Sequence, residues 1–198
     1  MRMNVRWFVL ALCGALGGCC FGGGQHAVEV AALGAVCSGT AAPAAPAYVR
    51  GPGQHPLFAM RQGLSSGRWS QAFGMLTTRT PGGSSVATTQ LVLCIEPEQR
   101  VELGRCAFDS QLTVGFVPVP GAVTGGPSFA RVRKQQRVRI VAARTAETIG
   151  DTVLQGSEPP SCDHSIVGHP SDADFRGGDV GDFTINAWAE PYGLGTAP

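Results

Sequence analysis

The stretch from Cys162 to Asp179 is rich in residues of types that hold metal ions. Cys162, His164, His169, Asp172, Asp174 and Asp179 place a thiol, two imidazoles and three carboxylates within eighteen positions. Neutral imidazole with carboxylate suits zinc or another divalent cation. The same composition also makes an acidic, glycine-rich surface loop in which Asp side chains close turns through their own backbone. Calcium fits less well, since Arg176 follows Asp172 and Asp174 where a further oxygen ligand belongs. A second set is cationic. Arg131, Arg133, Lys134, Arg137, Arg139 and Arg144 put six positive charges into fourteen residues with no acid among them. The alternation Arg137-Val138-Arg139-Ile140 has the period of a strand, which sends Arg137 and Arg139 to solvent and Val138 and Ile140 to the core. A row of guanidinium groups at Arg131, Arg133, Arg137 and Arg139 could grip phosphate or sulfate polyanions or lipid head groups. Its plainer role is to keep a strand face soluble and discourage edge pairing.

Other chemistry finds little footing. The chain has no His-Glu-x-x-His, no phosphate loop ending in Lys-Ser/Thr and no Cys-x-x-Cys. The expectation leans away from an enzyme. No cofactor is implied unless zinc or copper occupies the His164, His169 and Asp179 positions.

Cysteine use bears on the compartment. Cys13, Cys19 and Cys20 lie in or beside the apolar N-terminal run, leaving Cys37, Cys94, Cys106 and Cys162. An even set suggests two disulfides, with three connectivities open. Cys94 and Cys106 enclose eleven residues between two apparent strands, and joining them would be worth roughly 3 kcal/mol of loop entropy. That bridge is favoured, which leaves Cys37 with Cys162.

The N-terminus has the layout of an export signal. Arg2 and Arg6 precede the apolar run Trp7 to Leu16, which is followed by Gly17, Gly18 and Cys19. The run is too short for a stable membrane span. Leu16-Gly17-Gly18-Cys19 resembles the lipobox of bacterial lipoproteins, with Gly17 in place of the usual Ala or Ser. The resemblance implies a signal peptide over 1–18 and acylation of Cys19. The alternative is an ordinary secretory signal cut between Gly18 and Gly24.

These elements need a scaffold to position them. The chain has 198 residues, enough for one domain, with 15% charged and 43% hydrophobic residues. A net charge of +1 argues against a generally basic nucleic-acid binder, and no sequence-specific nucleic-acid motif is present. With 28 Gly and 14 Pro, short strands and loops are favoured over long helices. Residues 19–54 are Gly-, Ala- and Pro-rich and read as a disordered tether. Ala27 to Val36 could form a short helix, but Gly34 and the lack of a polar face count against it. Residues 55–198 then form the folded domain. Its apolar segments are Trp69 to Thr78, Val86 to Ile95, Arg100 to Phe108, Gln111 to Val119, Phe129 to Ala143 and Phe183 to Ala189. Their spacing predicts a mainly β fold, an antiparallel sandwich or barrel-like domain of about six to seven strands.

Residues 169–182 carry one further likeness. His169-Pro170-Ser171-Asp172 through Phe175-Arg176-Gly177-Gly178-Asp179-Val180-Gly181-Asp182 resembles the zinc-loop end of copper/zinc superoxide dismutases. Asp179 matches that family's zinc aspartate. Arg176 stands where the family has a metal-binding His, and no His-x-His copper pair occurs upstream. The resemblance implies a degenerate relative with one metal position.

The expected function is that of an exported, lipid-anchored β-domain in the cell envelope, or otherwise secreted. It would be a surface-binding or envelope-associated accessory protein whose partners are the membrane surface and a protein or polyanionic ligand. A metal-binding, superoxide-dismutase-like domain and a polyanion-binding surface protein are the alternatives.

Overall fold

A computed structural model describes residues 22–72, 85–108, 110–114, 117–124, 126–162 and 171–197. Helix α1 (Gly22–Cys37) leads into strands β1 (Leu57–Gln62), β2 (Trp69–Gln71), β3 (Leu91–Ile95), β4 (Gln99–Ala107), β5 (Ser110–Val114), β6 (Val117–Thr124), β7 (Ser128–Ala142) and β8 (Thr148–Gln155). A 3-10 turn at Asp172–Phe175 and helix α2 (Asp182–Gly193) follow. The chain is mainly β, as its composition predicts. Six strands form one sheet, and β5 pairs with β6 as a separate hairpin.

The sheet is mixed rather than wholly antiparallel, because β1 runs parallel to β3, with Leu57 opposite Leu91 and Arg61 opposite Ile95. Its organising strand is β7. Gln135 lies opposite Gln99 of β4 and also opposite Gln155 of β8. Ile140 likewise sits between Leu93 of β3 and Gly150 of β8. Strands β3 and β4 therefore lie end to end along one side of β7, and β8 lies along the other.

Alternation along the strands divides the core in two. Leu57, Ala59, Leu91, Leu93, Ile95, Val138 and Ile140 face α2, where Ile185, Ala189, Trp188 and Tyr192 meet them. Phe58, Met60, Val92, Cys94 and Val141 face α1 and pack on Leu33, Val36 and Cys37. The fold is thus sandwich-like in its layering, with helices covering the central sheet. Val138 and Ile140 are fully buried, as their alternation predicts.

Three further expectations are corrected. Residues 22–54 are not a tether, since α1 docks on the sheet and Ala42 and Ala45 are buried beside it. Gly34, the residue that argued against a helix, is what permits the docking: a Cβ there would lie 2.9 Å from Trp69 Cβ and 3.2 Å from Met60 Cε. Phe183 to Ala189 is helical rather than extended. Ile185, Trp188, Ala189 and Tyr192 recur at i, i+3, i+4 and i+7 and so share one face. Gly150 completes this packing, for a Cβ there would collide with the Tyr192 hydroxyl.

The third correction is the disulfide pairing. Cys37 is bonded to Cys94 and Cys106 to Cys162. Cys94 faces the α1 layer, whereas Cys106 lies at the far end of β4, so the short loop between them does not bring them together. The first bridge pins the C-terminus of α1 to β3. The second pins β4 to the loop that follows β8.

Candidate functional site

Where β1 ends, the sheet carries a groove of about 1060 Å³. One wall is the end of β1 and the turn after it, from Arg61 to Leu64. The opposite wall is Pro97, Glu98 and Arg100 at the entry to β4. Lys134 and Gln136 of β7 lie in its lining, and Asp179 to Asp182, leading into α2, close its top. Charged and amide side chains make up much of the lining and offer a ligand polar contacts.

Lys134, the chain's only lysine, is held between two carboxylates. Its ammonium donates to Asp179 and lies 3.2 Å from Glu98 Oε1. The bond to Asp179, followed by that to Glu98, holds the lysine above its ordinary range. The two carboxylates favour the charged form of the amine. Lys134 therefore acts as a structural cation that ties β7 to the segment before α2. Arg61 forms a parallel tie, donating from Nη2 to Asp182 Oδ1 at 2.6 Å.

Arg100 is treated differently. It lies directly opposite Lys134 in the β4–β7 register, and Glu98, two residues earlier and just before β4, lines the same groove. Both Glu98 oxygens are engaged, Oε1 with Lys134 and Oε2 with the Val180 backbone N–H at 3.3 Å. Arg100 is left exposed and without a hydrogen bond or ion pair among the described residues. Gln136, 6% exposed, donates its amide to the Glu96 carbonyl at 2.8 Å. At the rim, Leu64 is 82% exposed, and Phe183, next to Asp182, is 85% exposed.

The residues singled out from sequence are distributed otherwise. Arg131, Arg133, Arg137 and Arg139 do fall on one side of β7 by alternation, but each guanidinium has an internal partner. Arg131 donates to the carbonyls of Pro160 and Pro159 at 2.8 and 3.2 Å. Arg133 lies 3.6 Å from Glu158. Arg137 bonds both oxygens of Asp151, at 3.0 and 2.5 Å. Arg139 lies 3.2 Å from Glu96 and donates to the Cys37 carbonyl at 2.9 Å. The charge gathered in sequence is thus neutralised in space, chiefly by acids outside the run.

The candidate metal ligands are not assembled among the described residues, where no group of three His, Cys, Asp or Glu stands within reach of one ion. Cys162 is disulfide-bonded. Asp174 accepts from the Ser171 N–H and hydroxyl, both at 2.7 Å, and Asp179 is bound to Lys134. His164 and His169 lie outside the described residues, as does Cys19.

Arg61, Leu64, Glu98, Arg100, Asp182 and Phe183 were not singled out by their sequence. Phe183 carried a misleading signal, since it read as part of a core strand. No family model, curated protein or solved structure matches this chain.

Proposed function

We infer that this chain is an exported, lipid-anchored accessory protein of the cell envelope, whose domain binds a partner through the groove at the entry to β4. The observation that carries the export reading is the pair of disulfides, Cys37–Cys94 and Cys106–Cys162. Such bonds persist in oxidising compartments and are rare in reducing ones. The lipobox-like Leu16-Gly17-Gly18-Cys19 supports anchoring, and Cys19 stands only a few residues before α1, which docks on the sheet. Among the described residues no helix is long and apolar enough to cross a membrane.

The binding part of the reading draws on the unpaired Arg100 and the exposed Leu64 in the lining of the groove, and on the exposed Phe183 that follows Asp182 of that lining in sequence. The alternatives find less support. Polyanion capture by the arginine row would require breaking its internal pairs with Glu96, Asp151 and Glu158. A metal site that includes Asp179 would require its release from Lys134.

Membrane fractionation of cells expressing the full chain tests the anchor. The native protein should sediment with membranes and Cys19→Ser should not. Recovery of both in the same fraction would overturn the anchored reading.

A further inference from the structure

We propose that the groove takes an extended acidic segment of a partner protein, which adds to the sheet as a strand beside β4. The proposal rests on reading the groove as the binding site and names its ligand. Its main support is a vacancy in the sheet. Strands β3 and β4 lie end to end along β7, yet β1, which pairs with β2 and β3 but not with β4, ends at Gln62. In line with β1, the outer edge of β4 has no strand partner among the described residues. Alternate residues of an edge strand point their N–H and C=O groups outward, and an extended peptide satisfies them by continuing the ladder.

The groove marks the mouth of that vacancy. Its walls are the last residues of β1 and the first of β4, the two ends between which an added strand would enter. Arg100, at the start of β4, is the cation there without an internal acid, whereas Lys134 and Arg61 are already paired. An incoming Asp or Glu would complete Arg100, and an incoming Lys or Arg would meet it unfavourably. Leu64 and Phe183 offer apolar contacts at the rim for the partner's side chains. The chemistry therefore selects an extended segment with a carboxylate at the β4 entry and an apolar residue near it.

A phage-displayed random peptide library, panned on the disulfide-bonded protein, supplies the probe. Selected peptides should be acidic and should slow amide hydrogen exchange over Gln99–Glu102 of β4. Arg100→Glu should weaken them about tenfold or more, with binding regained when the peptide's acid is replaced by Lys. Arg144→Glu, at an exposed site outside the groove, should leave them unchanged. Peptides that contact Leu64 and Phe183 but neither protect β4 nor respond to Arg100→Glu would overturn strand addition and leave the groove reading standing. Peptides that bind elsewhere, or a library that yields none, would overturn both.

Discussion

Arg139, in the middle of the sheet, donates a 2.9 Å hydrogen bond to the backbone carbonyl of Cys37, 102 residues earlier, at the end of α1. The contact gives the helix C-terminus a cation where its unpaired carbonyls and macrodipole favour one. It also separates two arginines that the strand's alternation treats as equivalent. Arg139 is 21% exposed and lies against Glu96, whereas Arg137 is half exposed and pairs with Asp151 at the open β8 side.

Replacing Arg139 by Ser should therefore destabilise the domain by about 1–3 kcal/mol, since the Glu96 carboxylate loses its ion-pair partner and the Cys37 carbonyl a charged donor in a half-buried setting. Arg137→Ser should lower Tm only slightly, as is usual for exposed pairs. Thermal melts of the two variants side by side check this, and equal losses would contradict the covering role of α1.

Val138→Asp should cost at least about 3 kcal/mol, because position 138 is fully buried among Leu57, Leu93 and Ile185 with no partner for a carboxylate. Urea denaturation measures it, and a near-native midpoint would show that this face of β7 is not core.

Non-reducing peptide mapping should recover Cys37 joined to Cys94 and Cys106 joined to Cys162. Replacing Cys37 and Cys94 together by Ser should remove about 2–4 kcal/mol, since the bridge closes a long loop and fastens α1 to β3. Recovery of a Cys94–Cys106 peptide would contradict the fold.

A pH dependence follows from Asp151. The hydrogen bonds from Arg137 hold its carboxyl below the ordinary value of 3.8. The folded state binds that proton less readily than the unfolded one, so the stabilisation is fully present above the unfolded range and is lost as pH falls through the depressed folded value. Asp151→Asn should flatten this acid limb in melts taken between neutral pH and strong acid. An unchanged limb would show that the Arg137–Asp151 pair contributes nothing there.

Much of the fold was legible wherever the signal was local. The alternation at Arg137-Val138-Arg139-Ile140 gives the strand and its buried side correctly. It does not say what covers the other side, and that depends on α1. The cysteines announce two bridges, but their partners lie 57 and 56 residues apart, beyond the reach of a loop-length argument. Gly34 weakened the expectation of a helix because propensity penalises glycine, whereas the close approach of Trp69 rewards it. The groove was the least visible feature. Arg61, Arg100 and Asp182 meet only because β1, β4 and α2 converge there, and nothing in their local spacing foretells it.

The proposed anchoring has Cys19 carry this disulfide-bonded domain to a membrane surface. The intact mass and N-terminal peptide of the processed protein, purified from membranes of an expressing bacterium, test it most directly. The expected product is a chain that begins at Cys19 and bears acyl groups. An N-terminus elsewhere, with Cys19 removed or unmodified, would contradict it.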